Sequence, residues 1–189
     1  KTLLKFDDVM NDQRKIIFAQ RLEILQNKDI KKMIFSFLEE LNTSIEAAHQ
    51  NFSKSNDLKI FSNEIKTNYG NAFDAQKIEE FSKMSTKSIT NNLNSFFQEK
   101  RGERIKALGD HQNNEIEKRI FLQIMDFLWR SHLQYLEQLR QVIGLRSYGQ
   151  KDPLAEFRKE AFQLFENLLI KIKTETIKFL INTNIVIED

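Results

Sequence analysis

Cysteine is missing altogether from the 189 residues. Its absence excludes disulfides, thiolate metal sites and cysteine nucleophiles, and it fits a chain at home in the cytosol. Proline occurs once and glycine five times. Sheet proteins need turn residues at short intervals, so this scarcity points to long helices. Long apolar runs are lacking too. None approaches the roughly 18 residues that span a bilayer, and no signal peptide opens the sequence. The phosphate cradles GxxxxGK[ST] and GxGxxG and the nucleophile elbow GxSxG do not occur. Nor does charge of one sign dominate: 29 Lys and Arg meet 27 Asp and Glu, a formal net charge of +2. So balanced a mixture reads as a solvated surface rather than a nucleic-acid footprint.

What is present is helical periodicity. With 40% hydrophobic and 30% charged residues, the chain can bury one ordinary core or two small ones. The organising stretch runs from Glu117 to Ile181. Phe121, Met125, Leu128, His132, Leu136, Leu139 and Ile143 recur at three- and four-residue steps, which places them on one helix face. Gly144 and Gly149 bracket a connection, with the loop expected over 144–151. Asp152 and Pro153 then restart a helix, an acceptor at the N-cap followed by a proline at the first helical position. Leu154, Phe157, Ala161, Leu164, Phe165, Leu168, Ile172 and Leu180 form the return stripe, so the two helices are expected to run antiparallel.

Upstream, Leu3, Phe6, Met10, Ile17 and Ile24 mark a first helix of about seven turns. Gln13 and Gln20 sit where a coiled-coil seam would be apolar, so that face is expected to meet a polar partner inside or outside the chain. Asp29 is expected to cap a second helix striped by Ile30, Met33, Ile34, Phe37, Leu38, Leu41 and Ile45. Residues 51–57 read as a polar loop. Leu58, Phe61, Ile65 and Tyr69 suggest a short helix ended by Gly70. Residues 71–83 suggest a turn plus one helical turn. A helix over about 85–108 carries Ile89, Leu93, Phe96, Phe97 and Ile105, and Asp110 or a neighbour starts the long arm. The expected fold is all-α, a long helix plus an antiparallel hairpin, with a smaller helical subdomain over about 26–110 inserted between them.

Candidate chemistry is sparse. Glu46 and His49 have the Glu-x-x-His spacing of di-iron bundles, but that site needs a second copy and two further glutamates. Leu108 and Trp129 precede His111 and His132 instead, so the pair is read as surface chemistry and a metal site is rejected. His132, on an apolar stripe, fits a hydrogen-bonded interior or interface residue better than a catalyst. Trp129 is read as core. Asp7, Asp8, Asn11, Asp12 and Arg14 make a dense polar patch. It is either an ordinary solvated face or, through Asp7, Asn11 and Arg14 at four- and three-residue steps, a ridge that docks on another domain.

Two stretches carry a family resemblance. Leu4–Arg14 (LKFDDVMNDQR) resembles the long scaffold helix of the SecA family, the ATPase motors of bacterial preprotein translocation. Leu128–Arg140 (LWRSHLQYLEQLR), then Gly144–Pro153 (GLRSYGQKDP) and Glu156–Glu160 (EFRKE), resembles that family's two-helix finger. The resemblance implies a scaffold helix over 1–25, a helical wing over 26–110, and continued scaffold plus finger over 111–189. The family's nucleotide-binding domains, its preprotein cross-linking domain and the cysteine-rich zinc tail of many members have no counterpart here. The chain starts at Lys1 in what reads as mid-helix, so a piece of a longer protein is expected.

By resemblance, the piece itself has no catalytic, cofactor or metal site, ATP and magnesium belonging to the parent. Its expected partners are the SecYEG channel, the preprotein substrate and the parent's motor domains, with no nucleic acid. Its expected place is the cytoplasm, peripherally associated with the bacterial inner membrane through the parent. Arg146, Tyr148 and Lys151 at the finger tip are the expected contacts with polypeptide or channel. Tyr148 offers apolar area and a hydroxyl without demanding one partner, although packing over its own loop accounts for a tyrosine there equally well. A helical adaptor unrelated to a motor explains the amphipathic stripes but not the matched motifs. A nucleic-acid module would need a clustered basic face.

Overall fold

The computed structural model describes the backbone of residues 2–146 and 152–184, and the side chains of 5–145 and 152–184. The described residues form seven helices and no strand. They are α1 Thr2–Gln26, α2 Lys31–Ser55, α3 Leu58–Tyr69, α4 Ala75–Ser82, α5 Thr86–Leu108, α6 Asp110–Arg146 and α7 Pro153–Asn182. The chain divides into two compact units, one of Lys1–Lys28 with Lys118–Ile172, the other of Asp29–Glu117 with the chain from Lys173 onward.

Capping residues set most boundaries. Asp57, Asp74 and Ser85 accept backbone N–H groups from Lys59, Lys77 and Ser88 at the starts of α3, α4 and α5, donors that the helix itself cannot satisfy. Asp29 accepts from Lys31 N–H, yet the N-cap is Ile30, whose own N–H donates to Asn114 Oδ1. Gly70 ends α3 at φ +61°, and a Cβ there would press on Asn182 and Lys178 at 3.1–3.2 Å. Both the backbone angle and the close approach therefore call for glycine.

Three expected boundaries are corrected. The polar run 51–57 is mostly helix, since α2 continues through Ser55. Ser53 and Ser55 hydroxyls donate back to the carbonyls of His49 and Asn51, and polarity alone does not stop a solvated last turn. The segment after Gly70 holds a capped eight-residue helix, α4, rather than a single turn. Helix α6 runs through Arg146, so Gly144 lies inside it and not in the loop.

In the first unit, Phe6, Leu136, Leu139, Ile143, Phe157 and Ala161 form one buried cluster. Phe6 and Phe157 meet edge to face with centroids 4.9 Å apart. In the second unit, Ile34, Leu38 and Ile45 of α2, Phe61, Ile65 and Tyr69 of α3, and Leu93 and Phe97 of α5 are all essentially inaccessible. Phe73 extends that core, packing against Tyr69, Phe81 and Phe96 with centroids 4.8–5.7 Å apart. The Tyr69 hydroxyl donates to Asn42 Oδ1 at 2.7 Å, and burial raises its pKa above the ordinary tyrosine value.

Candidate functional site

The first unit is built around one polar contact in an apolar setting. All seven stripe residues of α6, from Phe121 to Ile143, are buried, and so is Gln13 of α1, 6% exposed. Gln13 Nε2 donates to the Ala161 carbonyl of α7 at 3.0 Å. A carbonyl only accepts, so this bond fixes the amide's orientation and turns Oε1 toward α6. There it lies 2.7 Å from His132 Nε2, which must therefore carry the proton. Burial pushes the His132 pKa down to about 4, leaving the ring neutral near pH 7. Trp129 stacks on it at 5.5 Å, and Phe165 lies beside both rings, 5.9 Å from the imidazole and 6.4 Å from the indole. His132 is thus a bonded interior residue and Trp129 a core residue. The polar partner sought for the Gln13 face lies within this chain.

The ridge residues sit on the outer side of the same α1. Asp7 and Asn11 are exposed and Arg14 is half-buried. They are not equivalent. Asp7 accepts from Arg140 of α6 at 3.0 Å, and Arg140 also bonds Glu137, so Asp7 braces the unit. Asn11 Oδ1 accepts from Arg14 at 2.8 Å, which leaves that local pair facing outward. Further along α1, Arg21 makes a two-pronged pair with Asp126 of α6 at 3.1 and 3.2 Å. Hydrogen bonding to Asp126, with its charge, raises the Arg21 pKa.

The ridge continues in a way that sequence reading missed. Phe18, Leu22 and Leu25 follow Asp7, Asn11 and Arg14 at three- and four-residue steps, and they are 59%, 52% and 51% exposed. The spacing carried that signal, but single apolar residues among charged ones are ordinary on a solvated helix face. Of the tip, Tyr148 and Lys151 lie outside the described residues, and Arg146 is described only as the last residue of α6.

Glu46 and His49 are placed differently from the surface pair expected. His49 is buried in the second unit, with Nδ1 2.8 Å from Thr86 Oγ1 and Nε2 3.1 Å from the Ser82 carbonyl. Glu46 accepts from Thr90. The helix faces the interior there, so the histidine caps polar groups of neighbouring segments. Among the described residues no group of three or more His, Asp or Glu is placed to hold a metal ion.

The second unit also buries an ion cluster. Arg101 Nη2 and Nε reach Glu117 at 2.9 and 3.1 Å, and Asn113 donates to the same carboxylate. Arg104 bonds the Leu180 carbonyl at 2.7 Å and Asn113 Oδ1, its second terminal nitrogen lying 3.5 Å from Glu117. Desolvation lowers the Arg104 pKa, yet the guanidinium stays charged. Each contact joins helix segments, and none offers a vacant reactive group.

No helix among the described residues is long and apolar enough to cross a membrane. The family described as "SecA Wing and Scaffold domain" matches residues 1–184. A Pelagibacter ubique protein named Protein translocase subunit SecA is 47% identical over 191 residues, covering all of this chain and 22% of that protein. Proteins of the same name from Wolbachia pipientis wMel and Hyphomonas neptunium are 39% and 34% identical over 94% and 98% of the chain, and 20% of each relative. The chain thus spans about a fifth of the length of these relatives. A family match running from the first helix to the end of the last, over an all-helical fold, makes this chain a member of the SecA family, corresponding to its wing and scaffold.

Proposed function

We propose that the chain is the scaffold, wing and finger portion of a protein-translocation motor. It couples ATP-driven domain motion in the parent to movement of preprotein through the SecYEG channel. The observation that carries this reading is the family match over residues 1–184. The first unit supports it physically. A helix rises about 1.5 Å per residue and is stiff along its axis, and α1 is bonded to both α6 and α7. A push along α1 is therefore delivered to the finger arms rather than lost in bending.

In this reading, residues 1–25 and 111–189 are scaffold and finger, and 26–110 the wing. ATP and magnesium are handled by parent domains outside the chain, so the chain itself is not catalytic. The motor works in the cytoplasm, peripherally associated with the inner membrane. Asn11 and Arg14, with Phe18, Leu22 and Leu25 in line, are the surface on which a motor domain of the parent docks, and Asp7 braces that ridge from within. Arg146, Tyr148 and Lys151 press on the polypeptide or the channel.

The test is Tyr148→Ala in a full-length protein carrying this segment. Preprotein transport should fall while basal ATP hydrolysis persists, and Tyr148→Phe should retain more transport than Ala, because bulk and a π-face matter more than the hydroxyl. In the chain alone, Tyr148→Ala should change stability by no more than about 0.5 kcal/mol. Normal transport by the Ala variant would reduce the tip to a connector. Unfolding of the chain would make Tyr148 a packing residue.

A further inference from the structure

Apolar packing alone leaves the axial position of α1 undecided. Leu3, Phe6, Met10, Gln13, Ile17, Gln20 and Ile24 follow one another at alternating three- and four-residue steps, a seven-residue repeat whose aliphatic members are of similar size. A slide of one turn, about 5.4 Å, brings Met10 or Ile17 to the level of Gln13. Either is apolar, and the surrounding side chains would accept it.

The partly exposed pairs Asp7–Arg140 and Arg21–Asp126 also join α1 to α6, but solvent-screened pairs of this kind contribute little. The buried polar contact is what removes the degeneracy. After a one-turn slide the buried Nε2–H of His132 has no acceptor, a loss of about 1–3 kcal/mol. A slide of a full repeat could present Gln20 to His132 instead. The same movement drives Gln13 into the layer now held by Phe6, among Leu136, Leu139 and Phe157, where an amide finds only apolar neighbours. Both slides are penalised, and one position remains.

We propose that the Gln13–His132–Ala161 bridge is a register pin, a buried polar contact that selects one axial position of α1 against the α6 and α7 pair. Its role is specificity rather than stability, as a single buried asparagine acts in a coiled coil. The inference rests on geometry alone and holds whatever the chain does in translocation.

The chain has no cysteine, so spin labels can be placed cleanly on Lys5→Cys and Lys171→Cys, at two exposed positions of this unit. Pulsed electron paramagnetic resonance should give one interspin distance in the full chain. Gln13→Leu with His132→Leu should keep the helix content by circular dichroism. A second distance, shifted by about 5 Å, should then appear. His132→Gln, which retains a donor at that level, should keep the single distance. An unchanged single distance in the double Leu variant overturns the proposal. So does failure of that variant to fold, because the bridge would then be needed for folding itself. Nitrogen NMR of the unsubstituted chain gives an independent reading, and a proton on Nδ1 of His132 instead of Nε2 would also overturn it.

Discussion

His132 takes up no second proton at neutral pH because burial disfavours the charged ring. In the unfolded chain the imidazole has its ordinary pKa of 6.5, and in the folded chain about 4. As pH falls through 6.5 the unfolded state takes up a proton that the folded state refuses. Stability from this residue is therefore complete above about pH 6.5 and is lost progressively down to about pH 4, below which it changes no further. Thermal unfolding of the chain and of His132→Gln across this range checks the expectation, with the flatter profile belonging to the variant. The sequence made His132 and Trp129 legible because both occupy the apolar stripe. It could not reveal the bond to Gln13, since 119 residues separate the two and nothing local marks such a pairing.

Among helices, what could be read depended on whether the interior was apolar. The α6 stripe and most of the α2 and α7 stripes were legible because apolar residues at helical steps have one plausible destination. On α5 the same face continues from Leu93 and Phe97 to Arg101 and Arg104, but charged residues at those steps read as surface. Glu117, two turns into α6 and wholly buried, explains their inward placement, together with Asn113 and the Leu180 carbonyl that receive Arg104. Glu117→Gln should thus be among the most damaging single changes in the second unit. It leaves two guanidinium groups without a counter-charge, at a cost of about 3–5 kcal/mol. Urea unfolding would check it. Replacing Arg101, Arg104 and Glu117 together by Met, Met and Leu should be milder, because no charge is then stranded.

For the molecule as a whole, the row Phe18, Leu22 and Leu25 stands out because it lies bare beside charged neighbours on a helix whose other face is well packed. Changing all three to Gln should leave the chain's thermal stability nearly unchanged, about 0.5 kcal/mol or less per site, while reducing its binding of a hydrophobic fluorescent dye. A large loss of stability would mean that the row is packed after all. An exposed apolar row of this kind is also what chaperones and proteases recognise in unfinished proteins. A cell making this segment without the remaining four-fifths of the relatives' length would treat it as incomplete and remove it. Left uncovered, the outer face of α1 would thus serve as a mark for removal, and the three-Gln variant should outlive the unsubstituted segment in a pulse-chase experiment.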